Sequence, residues 1–287
     1  MAKTPSNDRA AKAKKQLKAH QRAERRGSFI IVGVCAVVAL LIVGAAAYRP
    51  VMNWWELRQF NDVDLASIGA AADVCAPEIV VPASGEQDHR DDGSIEYTTS
   101  PPIFGPHRST PAGMERKFYS FDDRAELEQV IHNSEHGYTF LWYDQTVADD
   151  SDLMNEIEGI ASKLRGTDNF RLKFKALPWK GAEEAEGDPD AWATDMDEGM
   201  QHALELAGFP DAYAEVSAAL EGGAHIAMTH WAVDNAPDEG DPSAYATTDT
   251  EATSFGVVQY CSEPSGEALN DFMLRWPYYN STEPNAM

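Results

Sequence analysis

The chain lacks most of the residue patterns on which familiar catalytic machinery is built. Its 287 residues hold only three cysteines, none of them spaced Cys-x-x-Cys, so a paired-thiol redox centre is excluded. There is no Gly-x-Ser-x-Gly elbow and no cysteine with an evident activating partner, which leaves nucleophilic catalysis without support. A phosphate loop and a dinucleotide fingerprint are absent too, and so is any internal repeat. Positive charge is scarce beyond the first 28 residues, where 14 Lys/Arg face 45 Asp/Glu for a balance of −31. Such a segment repels nucleic acid and anionic lipid surfaces, and it attracts cations and basic partners.

The first 28 residues have the opposite character. They carry Lys3, Arg9, Lys12, Lys14, Lys15, Lys18, Arg22, Arg25 and Arg26 against Asp8 and Glu24 alone, a balance of +7. Two segments so unlike in charge are suited to two environments. Between them, residues 29–48 read FIIVGVCAVVALLIVGAAAY, twenty positions without a charge. At about 1.5 Å per residue a helix of this length spans roughly 30 Å, the thickness of bilayer hydrocarbon. The basic flank predicts an N-terminus held in the cytoplasm, and Tyr48, Trp54 and Trp55 fall where an interfacial aromatic belt is expected. A signal peptide has a shorter apolar region of about 7–15 residues, although Ala45-Ala46-Ala47 would serve as a cleavage site. A buried core helix is disfavoured because no polar face interrupts the run. The expected layout is a basic tail over residues 1–28, one transmembrane helix over 29–48, and a linker with a juxtamembrane helix over 49–96. An extracytoplasmic domain over 97–280 and a short tail over 281–287 complete it. The lipid bilayer is then the first partner, and nucleic acid is not one.

Cys35 lies inside the apolar run, where it is a small apolar residue. Cys75 and Cys261 both fall in the outer segment, in a compartment that permits disulfides, and a bridge between them would tie the start of the domain to its end. The alternative is two unpaired buried thiols.

The outer segment is predicted to be an α+β domain with a mixed sheet, and a thioredoxin-like shape is compatible with its order of elements. Residues 53–71 read as helical and 82–92 as a polar loop. Ser120 or Asp122 would cap a helix running to about residue 132. Residues 138–143 are aromatic and β-branched, a strand signal. Residues 149–165 place Leu153, Ile157, Ile160 and Leu164 on one helical stripe, which Gly166 stops. Residues 170–177 alternate apolar and polar, predicting a strand with one buried face. Residues 225–233 and 255–260 read as two more strands, and 267–276 as a closing helix. The acidic runs 181–200 and 234–251 read as solvated loops, since neither fits the twelve-residue calcium loop. The sequon at Asn280 is a common chance match.

The residues able to carry chemistry are histidines. His107 follows Gly105-Pro106, His132 and His136 lie in His132-Asn-Ser-Glu135-His136-Gly137, and His230 lies in a predicted strand. The spacing His-x-x-Glu-His is that of inverted zinc peptidases, whose mechanism needs both imidazoles on one continuous helix. Gly137 follows at once, so the helix is expected to end inside the motif. A three-nitrogen site for copper or zinc formed by His107, His132 and His136 is the sharper reading, with Glu135 as ligand or support. Met114 and Met228 are candidate soft ligands for copper. The plainer reading is that these histidines hydrogen-bond within a turn.

Tyr97-x4-Pro102, Gly105-Pro-His107 and Val130-Ile-His132-Asn-Ser-Glu135-His136-Gly137, followed by an aromatic strand ending in Trp142-Tyr143, resemble a bacterial family, domain of unknown function 3105. The resemblance covers roughly residues 55–277. It implies an N-terminal anchor, an actinobacterial setting and the histidine positions above, but no reaction. Phe104 stands where that family usually has serine, and Ser134 where it has leucine.

Three functions follow as expectations. The first is a membrane-anchored envelope module that binds or assists, holding a transition metal. The second is a structural subunit docking onto a larger membrane complex. The third and weakest is an envelope hydrolase with Glu135 as base.

Overall fold

The computed structural model describes residues 5–83, 87–165, 173–181, 195–233, 244–247 and 253–285. The chain forms two units, Met1–Glu56 and Leu57–Met287. The first is essentially one helix, α1 (Pro5–Leu57). Within it begins a stretch, Phe29–Phe60, apolar and long enough to cross a membrane, with none of its most apolar window buried by protein. A signal sequence would satisfy the same test. The stretch runs past Tyr48, through Trp54 and Trp55, so residues expected to lie in a separate juxtamembrane helix continue the same one.

In the second unit, strands β1 (Glu78–Pro82), β2 (Thr139–Tyr143), β3 (Phe174–Pro178), β4 (Ile226–Val233), β5 (Ala244–Tyr245) and β6 (Ser254–Cys261) form one mixed sheet in the order β3-β2-β4-β6-β1-β5. β2–β3 and β1–β5 are parallel, and the other pairings are antiparallel. β1 lies upstream of the expected domain start at residue 97, yet it pairs along β6 from Ile79↔Val258 to Pro82↔Phe255.

Helices α2 (Leu127–Glu135), α3 (Gln145–Ala148), α4 (Ser151–Lys163), α5 (Met196–Ala207), α6 (Tyr213–Ser217) and α7 (Gly266–Arg275) complete the unit. Strand alternation divides the core between the two faces of the sheet. Phe140, Trp142, Ala227, Trp231, Val258 and Tyr260 pack with residues of α2 and α5. Leu141, Tyr143, Met228, Val257 and Cys261 pack with residues of α4 and α7. Burying apolar side chains on both faces is what holds the sheet between its helices. Cys75 and Cys261 are disulfide-bonded, closing a sequence separation of 186 residues.

Several local expectations differ from the structure, among them strand β5 at Ala244–Tyr245, inside the acidic run 234–251 that reads as a loop. Ser120 does not open a helix. Its N–H and hydroxyl both donate to Asp123 Oδ1, which closes a turn, and α2 begins only at Leu127. β3 is buried on both faces, because residues 117–119 cover its outer edge through Tyr119 N to Ala176 O and Ala176 N to Lys117 O. Lys175 is therefore fully buried, its ammonium donating to the carbonyls of Gly113 and Arg116, and desolvation pushes its pKa down to about 7. Finally, the acidic run 181–200 ends in helix rather than loop. Asp195 caps α5 by accepting from Glu198 N, and Asp197 and Glu198 occupy the first turn, where the helix dipole favours negative charge. Most of the other acidic run, and Gly166, lie outside the described residues.

Candidate metal centre

The site is built where the turn after Gly105 meets the end of α2. Gly105 has φ +126°, a conformation open to glycine, and this curls its carbonyl back to accept from His107 Nδ1 at 2.9 Å. His107 is also bridged to the segment around His89: His107 N donates to Asp88 O at 3.0 Å and Arg90 N to His107 O at 2.8 Å. His89 and His107 are thus side by side on two paired backbones. Arg108 fastens this segment to the start of α2, donating to Arg90 O and Gly93 O while its guanidinium pairs with Glu126 and Glu128.

Each residue of the His132–Gly137 block has a task. Asn133 donates to Ala112 O at 3.1 Å and Ser134 to Ile103 O at 2.7 Å, both fully buried, so these two hold the 101–112 turn on the helix. His132 and Glu135, three residues apart, share one face of α2. The helix ends in a Schellman motif, with Tyr138 N donating to Asn133 O and Gly137 N to Ser134 O. Gly137 takes φ +83°, and a Cβ there would lie 2.1 Å from Tyr278 O. His136 is consequently the C-cap and not a helical residue. The continuous helix of the inverted zinc peptidases is therefore absent at this motif.

The structure brings His107, His132 and Glu135 together and adds His89, with their ligand atoms all within 4.8 Å of one another. The ring centroids of His89, His107 and His132 are 4.8 to 5.1 Å apart. His136 lies beside this group, 4.7 Å centroid to centroid from His132, and it joins Glu135 and Glu283 in a second group of the same dimension. Met114 is exposed, and Met228 is packed in the apolar core with Leu141 and Val257. His230 is fully buried, and it donates from Nε2 to Asn280 O at 2.8 Å.

The polarity of the imidazoles follows from their partners. A carbonyl oxygen only accepts, so a ring nitrogen bonded to one must carry hydrogen. His107 Nδ1 faces Gly105 O at 2.9 Å, His132 Nδ1 faces Arg108 O at 2.6 Å, and His136 Nδ1 faces Glu283 O at 3.0 Å. In the neutral rings Nε2 is then the atom with the free lone pair. Backbone carbonyls holding one ring nitrogen so that the other can bind is the usual outer support of a metal-binding histidine.

His107 Nε2 and Glu135 Oε2 lie 3.0 Å apart, with side chains 0% and 3% exposed, yet Nε2 has no well-aligned hydrogen bond. Two lone pairs facing each other at this distance need a proton or a metal cation between them. Burial pushes the Glu135 carboxyl up, but His107, His136 and His132 outweigh it and hold it below the usual carboxylate range. Burial lowers the pKa of His132, and His107 and His136 lower it further against the opposing carbonyl bond and Glu135. These shifts favour Glu135 as carboxylate and His132 as neutral imidazole, the ligand forms for zinc or copper(II).

The polar stretch containing His89 gave no signal in the sequence. What recruits it is the backbone bridge to His107, a pairing between residues 18 apart that no periodicity announces.

Residues 89–174 match a family described as Protein of unknown function (DUF3105). The matched segment contains His89, His107, His132, Glu135 and His136. No curated protein and no solved structure matches the chain.

Proposed function

We propose, from the ligand geometry within the segment 89–174 that matches the DUF3105 family, that this protein is a membrane-anchored, extracytoplasmic module that binds a transition metal ion. His107 and His132 supply ligands through Nε2, His89 supplies a third imidazole, and Glu135 supplies a carboxylate oxygen. Three nitrogens and one oxygen suit tetrahedral zinc, and imidazole is equally a ligand for copper. The observation that carries this reading is the buried His107 Nε2, which lacks an aligned hydrogen bond and stands 3.0 Å from a carboxylate oxygen.

The anchor is the apolar part of α1. Its basic flank favours retention in the cytoplasm, so the domain beyond residue 48 lies outside. The Cys75–Cys261 disulfide supports this orientation, because such bridges persist in oxidising compartments. The net charge of −31 beyond residue 28 would raise the local concentration of cations.

Two experiments test the proposal. The full-length chain, purified in mild detergent and equilibrated with Zn(II), retains stoichiometric metal after gel filtration, and His132→Ala and Glu135→Gln lose it with the fold intact by circular dichroism. Metal retention unchanged in both variants, or absent in the parent, overturns the site. Protease added to intact cells digests the region beyond residue 48, and full protection there overturns the orientation.

A further inference from the structure

We propose that the site is built for two cations, the second held by His136 and Glu283 and sharing the Glu135 carboxylate with the first. The inference rests on the metal reading above and extends it to His136 and to Glu283, the latter outside the matched family segment.

Glu283 follows Glu135 by 148 positions, in a tail with no regular structure, and nothing in the local sequence gives it a role. The structure nevertheless holds its backbone at both the N–H and the carbonyl. Its N–H donates to Glu135 O at 2.9 Å, and its carbonyl accepts from His136 Nδ1 at 3.0 Å. Thr282 donates to the same Glu135 carbonyl at 3.0 Å. Lys173 donates to both His136 O and Pro284 O, pinning the tail to the helix end from the other side. The two residues that grip Glu283 by its backbone are the two whose side chains would share a metal with it. Ligand atoms of Glu135, His136 and Glu283 then lie within 4.8 Å of one another.

A carboxylate has two oxygens, each able to accept from a different direction. Glu135 belongs to both ligand groups. His107 Nε2 stands at Oε2 on one side, and His132 and His136, whose rings are 4.7 Å apart, mark the passage from the first group to the second. Carboxylate-bridged ions in two-metal sites sit about 3.5–4 Å apart. The two groups differ in exposure: His136 is 4% exposed overall, whereas the Glu283 side chain is 50% exposed. The second position therefore opens to solvent and takes the more readily exchanged ion.

The test uses the full-length chain in detergent with Cu(II) as the probe, followed by elemental analysis and electron paramagnetic resonance. Two coppers per chain are expected, with a spin count below the copper count because a shared carboxylate couples the pair. Glu283→Gln leaves every backbone clamp in place, so it tests the carboxylate alone. It should reduce the content to one copper with full spin, and His136→Asn should do the same. One copper in the parent, unchanged in Glu283→Gln, overturns the second position and leaves the first standing. Two coppers with an undiminished spin count overturn the shared carboxylate. No copper in the parent overturns both readings.

Discussion

His107 Nε2 and Glu135 Oε2 face each other at 3.0 Å inside the protein, the imidazole's other nitrogen already donating to Gly105 O. The pair needs a cation. With no metal bound, the two side chains are each other's buried polar partners. Removing one partner of such a pair is more damaging than removing both, because it strands a buried polar group. Glu135→Gln alone should therefore destabilise the metal-free chain by about 3 kcal/mol, and His107→Phe combined with Glu135→Gln by clearly less than the sum of the single changes. Urea titrations of the four proteins check this, and additive losses would separate the two residues.

His230 gives the fold a distinct acid sensitivity. Desolvation depresses its pKa from 6.5 to about 4. A depressed imidazole leaves the native state neutral while the unfolded chain takes up a proton, so stability is fully present above pH 6.5 and is lost as pH falls toward 4. The loss approaches on the order of 3 kcal/mol at the lower end. In His230→Gln the slope of unfolding free energy between pH 6.5 and 4 should flatten, and an unchanged slope would assign the acid sensitivity elsewhere.

Cys75 and Cys261 close 186 residues of chain. In the chain-entropy account a loop of that size is worth about 5 kcal/mol. Cys75→Ser with Cys261→Ser should lower the unfolding free energy by several kcal/mol and leave metal content intact. A loss under about 1 kcal/mol would mean the sheet holds itself together without the bridge.

Gly137 sets where α2 stops and so where His136 lies. Its φ is +83°, and an added Cβ would meet Tyr278 O at 2.1 Å. Gly137→Ala should cost about 2 kcal/mol or more, and it should weaken metal retention without touching a ligand. Wild-type retention in a destabilised Gly137→Ala would show that the helix end and the site are uncoupled.

Much of the domain was legible because its strands are aromatic and β-branched. Residues 138–143, 225–233 and 255–260 announced β2, β4 and β6, and the leucine–isoleucine stripe announced α4. The His132-Asn-Ser-Glu135-His136-Gly137 block pointed to the site, and Gly137 to the end of its helix. What escaped was long-range. Lys175 reads as a solvent-facing residue in an alternating strand, and the segment 113–119 with Tyr138 covers it. α5 was hidden because its capping aspartate and acidic first turn read as a continuation of the acidic run before it in the sequence. His89 and Glu283 owe their places to backbone bonds with His107, Glu135 and His136, and such pairings leave no trace in spacing or composition.

The most direct measurement is zinc K-edge X-ray absorption on the full-length chain loaded with one equivalent of Zn(II). Three imidazoles and one carboxylate predict four nitrogen or oxygen neighbours at about 2.0–2.1 Å, with the outer-shell scattering of three rings, falling to two rings in His89→Ala. A shell of water alone, or three-ring scattering that persists without His89, would contradict the site.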